Sequence, residues 1–215
     1  MKKTTVAAIQ YTEAVLVDLL IRFFLSPSSI NAHNVTGALD LAATHDCSVV
    51  IIANHVNAYD PIYLSTALCS KAGKSVYPVW LPAKKRFFDS SLKNQFMRLH
   101  GCLPLGIGKD EDSLRSMKDI IEKVRTGDNI CVFPEGQVSS DGTLGKDMGF
   151  VTFLARRNRL VILPAHLSGI AGFKTEWKQI LCRKRCLQIS FGEPILLEKG
   201  TEVECMSLIL SAKHQ

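Results

Sequence analysis

The chain has 215 residues, of which 47% are hydrophobic and 21% are charged, with a formal net charge of +6. This length suffices for one domain with a substantial core and is short for two, and the composition excludes a disordered chain. The basic balance suits an anionic partner such as nucleic acid, phospholipid headgroups or a phosphate-bearing carrier, and charge alone does not choose among them.

The first segment is predicted to be an amphipathic helix that ends at Pro27. Charged residues at positions 13, 18 and 22 interrupt the apolar stretch, which excludes a signal peptide, and the uncharged run is too short to span a bilayer. Two interpretations stay open: a helix packed on the core, or a helix lying in a membrane interface. Its apolar face is predicted to carry Val15, Leu16, Leu19, Leu20, Phe23 and Phe24.

Short apolar runs then alternate with helical patterns along the rest of the chain. The alternation predicts an α/β single domain with a mostly parallel core sheet flanked by helices. The predicted strands are Ser48–Ala53, Ser75–Leu81, Cys102–Leu105, Asn129–Phe133, Leu160–Ala165 and Cys186–Phe191. The predicted helices are Pro61–Ser70, Ser90–Leu99, Glu111–Val124, Lys146–Arg156 and Glu202–Ala212.

The cysteines indicate neither a disulfide framework nor a metal site. Their number is odd, their spacing is irregular, and no CxxC pair occurs. Reduced thiols in a cytosolic setting are the better interpretation, and no metal is expected. The cysteines are Cys47, Cys69, Cys102, Cys131, Cys182, Cys186 and Cys205.

The strand at 48–53 leads directly into a candidate catalytic segment, Asn54-His55-Val56-Asn57-Ala58-Tyr59-Asp60-Pro61. In open α/β sheets, ligands bind at the carboxyl ends of the strands. An Asp five residues after a His can fix the imidazole tautomer and favour the imidazolium formed when His55 takes a proton. The alternative is that Asp60 only caps the helix that Pro61 begins.

A second polar segment, Phe133-Pro134-Glu135-Gly136, follows the strand that begins at residue 129. If both strands are parallel, its carboxylate should reach the same edge of the sheet as His55. The alternative is a simple Pro-Gly turn.

Together these segments resemble the glycerolipid acyltransferase superfamily, which includes 1-acylglycerol-3-phosphate acyltransferases. The NHxxxxD block is matched by Asn54, His55 and Asp60, and the FPEG block by residues 133–136. An apolar strand ending in Pro is matched by Val161-Ile162-Leu163-Pro164. The resemblance covers roughly Val35 to Pro194 and implies an acyltransferase domain over residues 28–215, preceded by the helix of residues 1–27.

Two departures from the family pattern bear on the acceptor. The second block commonly ends in an Arg that holds the acceptor's phosphate; here Gly106 follows Gly101–Leu105, and Lys109 lies three residues later. Gln137-Val138 stands where many phosphatidate-forming members have Thr-Arg. Both departures resemble the branch that reacylates lysophospholipids, which includes the acyltransferase half of bifunctional 2-acylglycerophosphoethanolamine acyltransferase/acyl-carrier-protein synthetase.

The resemblance implies transfer of a fatty acyl group from acyl-CoA or acyl carrier protein to a lysophospholipid hydroxyl, with His55 and Asp60 catalytic. It requires no cofactor and no metal, and it places the protein peripherally on the cytoplasmic face of a membrane. Two alternatives stay open: a 1-acylglycerol-3-phosphate acyltransferase, or a non-catalytic protein that binds membrane surfaces. No nucleic-acid partner is expected, because no interleaved aromatic and basic motif occurs. The expected substrate-binding residues are Asn54, Lys84, Lys109, Pro134, Glu135 and Gly136.

Overall fold

The computed structural model describes residues 2–24, 28–106, 111–139, 142–169 and 187–213, with no side-chain description for residues 17–30 and 112. Its helices are α1 (Lys3–Phe24), α2 (His33–Thr44), α3 (Asp60–Ala72), α4 (Ser91–Leu99), α5 (Glu111–Arg125), α6 (Phe150–Ala155) and α7 (Cys205–Lys213). Its strands are β1 (Ser28–Ile30), β2 (Ser48–Ala53), β3 (Val79–Lys84), β4 (Cys102–Leu105), β5 (Asn129–Val132), β6 (Leu160–Ser168), β7 (Gln188–Phe191) and β8 (Ile195–Leu197). Two 3₁₀ helices, Gly73–Val76 and Lys85–Phe88, flank β3.

The strands form one sheet in the order β1-β7-β6-β2-β5-β3-β4, and β8 pairs with β6. All pairs from β6 through β2, β5 and β3 to β4 are parallel, whereas β7 and β8 run antiparallel to β6. Every residue of β2 is buried, as expected for a central strand covered by helices on both faces. The predicted α/β domain with a mostly parallel sheet is confirmed.

Several element boundaries differ from the prediction for local reasons. Strand β3 begins at Val79 rather than Ser75, because residues 73–76 form a 3₁₀ helix and Pro78 has no N–H to donate to a ladder. Helix α6 begins at Phe150 rather than Lys146, since Gly149 adopts a left-handed φ of 73°. The pattern did not predict α2, β1 or β8; both strands have only three residues.

Helix α1 packs on the domain through Val6, Gln10 and Ala14, which lie one turn apart and are buried. This packed face is not the predicted apolar one: Val15 and Leu16 are exposed, Leu16 by 58%. The other four predicted face residues lie outside the described side chains. No helix in the described ranges is both long and apolar enough to cross a membrane.

Gln10 fastens α1 to the sheet by acting as a substitute strand partner. Its Nε2 donates to the carbonyl oxygens of Val79, at 2.6 Å, and of His100, at 3.0 Å. Its Oε1 accepts from the Val79 N–H at 3.0 Å. These contacts satisfy the polar backbone of β3 before β4 begins to pair with it at Leu81.

We predict that Gln10→Ala lowers the free energy of unfolding by about 2–4 kcal/mol, because the buried N–H and C=O of Val79 lose their partner. Urea denaturation measures the change. Thr12→Ala is the matched control, since Thr12 is exposed on the same helix and bonds only within it, to the carbonyl of Ala8. Equal stability of the Gln10 and Thr12 variants would contradict this role.

Candidate active site

The site lies where β2 and β5 end side by side at the carboxyl edge of the sheet. Ile52 of β2 is paired with Val132 of β5 in parallel register. His55 and Glu135 each follow that pair by three residues. The register therefore brings two segments that are distant in sequence to the same level beyond the carboxyl ends of the strands. The expected convergence of the two segments is therefore observed.

His55 and Asp60 form a hydrogen-bonded pair, with 2.9 Å between His55 Nδ1 and Asp60 Oδ2. The same oxygen accepts the backbone N–H groups of Val56, at 2.6 Å, and Asn57, at 2.8 Å. Because all three bonds converge on one oxygen, the carboxylate folds the 55–57 backbone around itself and fixes the imidazole within that turn. Asp60 Oδ1 is buried without a hydrogen-bond partner among the described residues.

The side chain of Asp60 is fully buried, whereas that of His55 is 17% exposed. Asp60 is the first residue of α3, but it bonds to the preceding turn, and no side chain caps that helix. The alternative in which Asp60 only caps the helix does not hold. The imidazole of His55 is thus accessible to a ligand, while the carboxylate that holds it is shielded from solvent.

Burial and the nearby Asp60 charge raise the pKa of the Cys131 thiol to about 12. Burial, with Asp60 again contributing, also raises the pKa of Tyr63. Both groups therefore stay protonated and neutral around pH 7.

Glu135 connects two backbone segments through its carboxylate. Its Oε1 accepts the N–H of His55 at 2.9 Å, and its Oε2 accepts the N–H of Gly145 at 3.0 Å. The residue is only 6% exposed. A Cβ on Gly145 would stand 3.0 Å from Oε2, so a side chain there would press on the carboxylate. Glu135 thereby joins the turn that follows β2, at residues 55–57, to the long connection that follows β5.

Two further contacts hold His55 from the β5 side. The ring of Phe133 stacks on the imidazole at 4.3 Å between centroids, and such a ring interacts favourably with an imidazolium. The N–H of Ser139 donates to the carbonyl of His55 at 2.7 Å. Sequence analysis included Phe133 in the FPEG motif but assigned it no role. Its position directly after β5 places it beside the end of β2.

The remaining predicted residues of the two segments occupy different positions. Asn54 is buried and exchanges two hydrogen bonds with the backbone of Leu167, at 2.7 and 2.9 Å, which joins the end of β2 to β6. Pro134 is buried and accepts the N–H of Met148. Gly136 is exposed with φ 66°, a conformation that favours glycine. Substrate contacts by Asn54, Pro134 or Gly136 stay predictions. The hydrogen bonds of Asn54 to Leu167 favour a role in positioning the end of β2.

Lys84 is the predicted cationic residue that the structure describes, and it belongs to β3. Lys84 is half-buried and ends β3, in register with Leu105 at the end of β4. Strand β5 lies between β3 and β2 in the sheet, so Lys84 is on the far side of β5 from the strand that leads to His55. Lys109 lies outside the described residues. A Cβ on Gly106 would meet the Cα of Ser113 at 2.9 Å, so no Arg fits there without moving α5.

The arrangement can take a proton from a bound hydroxyl. The bond to Asp60 engages Nδ1, which leaves Nε2 as the ring nitrogen available to accept a proton. Within the described ranges, no three His, Cys, Asp or Glu side chains cluster as metal ligands would. Fold and site together define an α/β domain with a hydrogen-bonded His–Asp pair at the carboxyl edge of a mostly parallel sheet.

The chain belongs to the Acyltransferase family, whose model matches residues 33–168. It is similar to the 1-acyl-sn-glycerol-3-phosphate acyltransferase of Streptococcus pneumoniae, with 24% identity over 168 residues. That match covers 78% of this chain and 57% of the relative. The fold is similar to that of the Thermotoga maritima 1-acyl-sn-glycerophosphate acyltransferase PlsC, with TM-score 0.65, 17% identity, and coverage of 97% of this chain and 75% of that one.

We predict that Glu135→Gln lowers kcat about 10- to 100-fold while KM changes little, because an amide nitrogen cannot accept the N–H of His55 or Gly145. Steady-state kinetics on folded protein, verified by circular dichroism, measures the effect. Glu202→Gln is the matched control, since Glu202 is exposed and pairs with Arg156 on the surface. An unchanged kcat for Glu135→Gln would show that the two hydrogen bonds of Glu135 are not needed to position His55.

Proposed function

We propose that this protein transfers a fatty acyl group from a thioester donor to the free hydroxyl of a lysophospholipid. The observation that carries the proposal is the His55–Asp60 pair, in which a fully buried carboxylate orients a ring that remains open to a ligand. Membership of the Acyltransferase family supports the reaction class. The donor is acyl-CoA or acyl carrier protein, and the acceptor reaches the site from the surface of a membrane on its cytoplasmic face.

In the proposed reaction, His55 Nε2 takes the proton of the acceptor hydroxyl as its oxygen attacks the thioester carbonyl carbon. The carbon–sulfur bond then breaks, and the imidazolium returns the proton to the leaving thiolate. Asp60 stabilises the charged ring throughout, and the stacked Phe133 adds to that stabilisation. Backbone N–H groups at the strand ends are expected to stabilise the oxyanion, typically by a few kcal/mol for each donor.

For the acceptor, we infer a preference for a headgroup like that of lysophosphatidylethanolamine. A phosphate monoester such as lysophosphatidate carries about two negative charges near pH 7, and a bidentate Arg serves it best. Gly106 supplies no such fork, and the close approach of Ser113 excludes one at that position. A lysophosphatidylethanolamine carries one negative charge and a compensating ammonium, so it depends less on that Arg.

The second candidate is a 1-acylglycerol-3-phosphate acyltransferase. It is favoured by the name of the Streptococcus pneumoniae relative, of whose length this chain spans 57%. On this alternative, Lys84 or Lys109 must hold the phosphate as a point charge.

We predict that His55→Ala lowers the transfer rate about 10²- to 10⁴-fold, because it removes the general base. Labelled acyl-CoA with a panel of lysophospholipids measures the rate. His33→Ala is the matched control, since His33 is an exposed imidazole at the start of α2. Activity near that of the control in a folded His55→Ala preparation would contradict the dyad mechanism.

We predict a higher kcat/KM for lysophosphatidylethanolamine than for lysophosphatidate. Both acceptors should be compared in the wild type, Lys84→Ala and Lys109→Ala. Lys71→Ala, which removes a lysine from the last turn of α3, is the control. A wild-type preference for lysophosphatidate that is lost in Lys84→Ala or Lys109→Ala would assign the acceptor to the second candidate.

A further inference from the structure

A surface outside the dyad combines exposed apolar and basic side chains, and we call it the α4 patch. It consists of Lys85, Arg86, Phe87, Leu92, Lys93, Phe96 and Arg98, on the second 3₁₀ helix and on α4. The exposed fractions of Phe87, Leu92 and Phe96 are 46%, 80% and 59%. No residue of α4 is buried, so the helix lies on the surface of the described structure.

The charge of the patch is predominantly positive. Residues 85–99 contain these four basic residues and one acidic residue, Asp89. A second carboxylate, Glu13 of α1, lies nearby and pairs with His100, whose ring centre is 4.0 Å from that of Phe96. The guanidinium of Arg86 lies 5.2 Å from the centre of the Phe87 ring, which keeps a cation beside an exposed aromatic group. Lys93 follows Leu92 directly and is exposed. The patch thus presents apolar groups within a positive field.

The position of the patch relates it to the active site. Strand β3 ends at the active-site edge with Lys84, and the 3₁₀ helix begins at the next residue. Because β4 is parallel to β3, α4 must carry the chain back along the sheet before β4 begins. The first part of the patch therefore lies at the active-site edge, on the side of β3.

We infer that the α4 patch docks the protein on a membrane surface that contains anionic lipid. Phe87, Leu92 and Phe96 enter the boundary between headgroups and acyl chains, while the surrounding cations contact lipid phosphates. Exposed apolar side chains set among cations suit the fluid, anionic surface of a bilayer, whereas a protein partner requires close packing of complementary shape. Docking here would turn the active-site edge toward lipids that enter from the bilayer, which goes beyond the proposed acyl transfer.

The test is cosedimentation of the full chain with vesicles of phosphatidylcholine alone, or of equal parts phosphatidylcholine and phosphatidylglycerol. We expect the double variant Leu92→Ser/Phe96→Ser to lower the partition coefficient on anionic vesicles about tenfold or more. We expect Lys93→Ala to lower it about fivefold, with no change on phosphatidylcholine alone. Leu210→Ser is the matched control, since Leu210 is exposed on α7, a helix that packs on β6 and β7.

Three outcomes would overturn the inference. The first is wild-type binding by the folded double variant. The second is loss of binding in Leu16→Ser alone, which would assign docking to α1. The third is a double variant that binds vesicles like the wild type but transfers the acyl group from acyl carrier protein more slowly in an assay without vesicles. That result would assign the patch to binding of the acyl carrier protein.

Two measurements separate this inference from the proposed reaction. His55→Ala should bind vesicles like the wild type, and the double variant should acylate a short-chain lysophospholipid dissolved as monomers at the wild-type rate. Loss of that soluble activity in the double variant would show that the patch belongs to the reaction itself and would overturn docking as its role.

Discussion

The site depends on one buried carboxylate oxygen that accepts three hydrogen bonds. Asp60 Oδ2 holds the imidazole of His55 and the backbone N–H groups of the next two residues. A carboxylate removed from water is stable only where such donors converge on it. The turn of residues 55–57 is therefore shaped around Asp60, and the orientation of the His55 ring follows from that shape.

The second carboxylate extends this constraint from β2 to β5. Glu135 connects the N–H of His55 to Gly145, and Ser139 binds the His55 carbonyl. The peptide groups of His55 are thus held by residues that follow both strands. Since parallel pairing of Ile52 with Val132 brings these segments level, the geometry of the site is a consequence of strand register. Such fixing is what the proposed role of His55 requires, because a general base contributes fully only when it is held in place.

The sequence predicted the elements whose patterns were long or strongly apolar, and β2 and β4 have the bounds expected for them. It also predicted that His55, Asp60 and Glu135 converge, because strand ends of a parallel sheet share one edge. It did not predict the partners of Glu135, since one of them, Gly145, lies ten positions further along the chain. It also missed the packed face of α1, where the buried polar Gln10 replaces the larger apolar residues that periodicity selects.

The proposed mechanism depends on the orientation of the His55 ring, which nitrogen-15 NMR of histidine-labelled protein measures. In the neutral ring, Nδ1 should carry the proton and show a hydrogen bond, while Nε2 should be unprotonated. In Asp60→Asn, the shift of Nδ1 should change and the tautomer preference should weaken or reverse, because the carboxylate acceptor is lost. A wild-type ring protonated at Nε2, or one whose signals are identical in Asp60→Asn, would contradict a base held by Asp60.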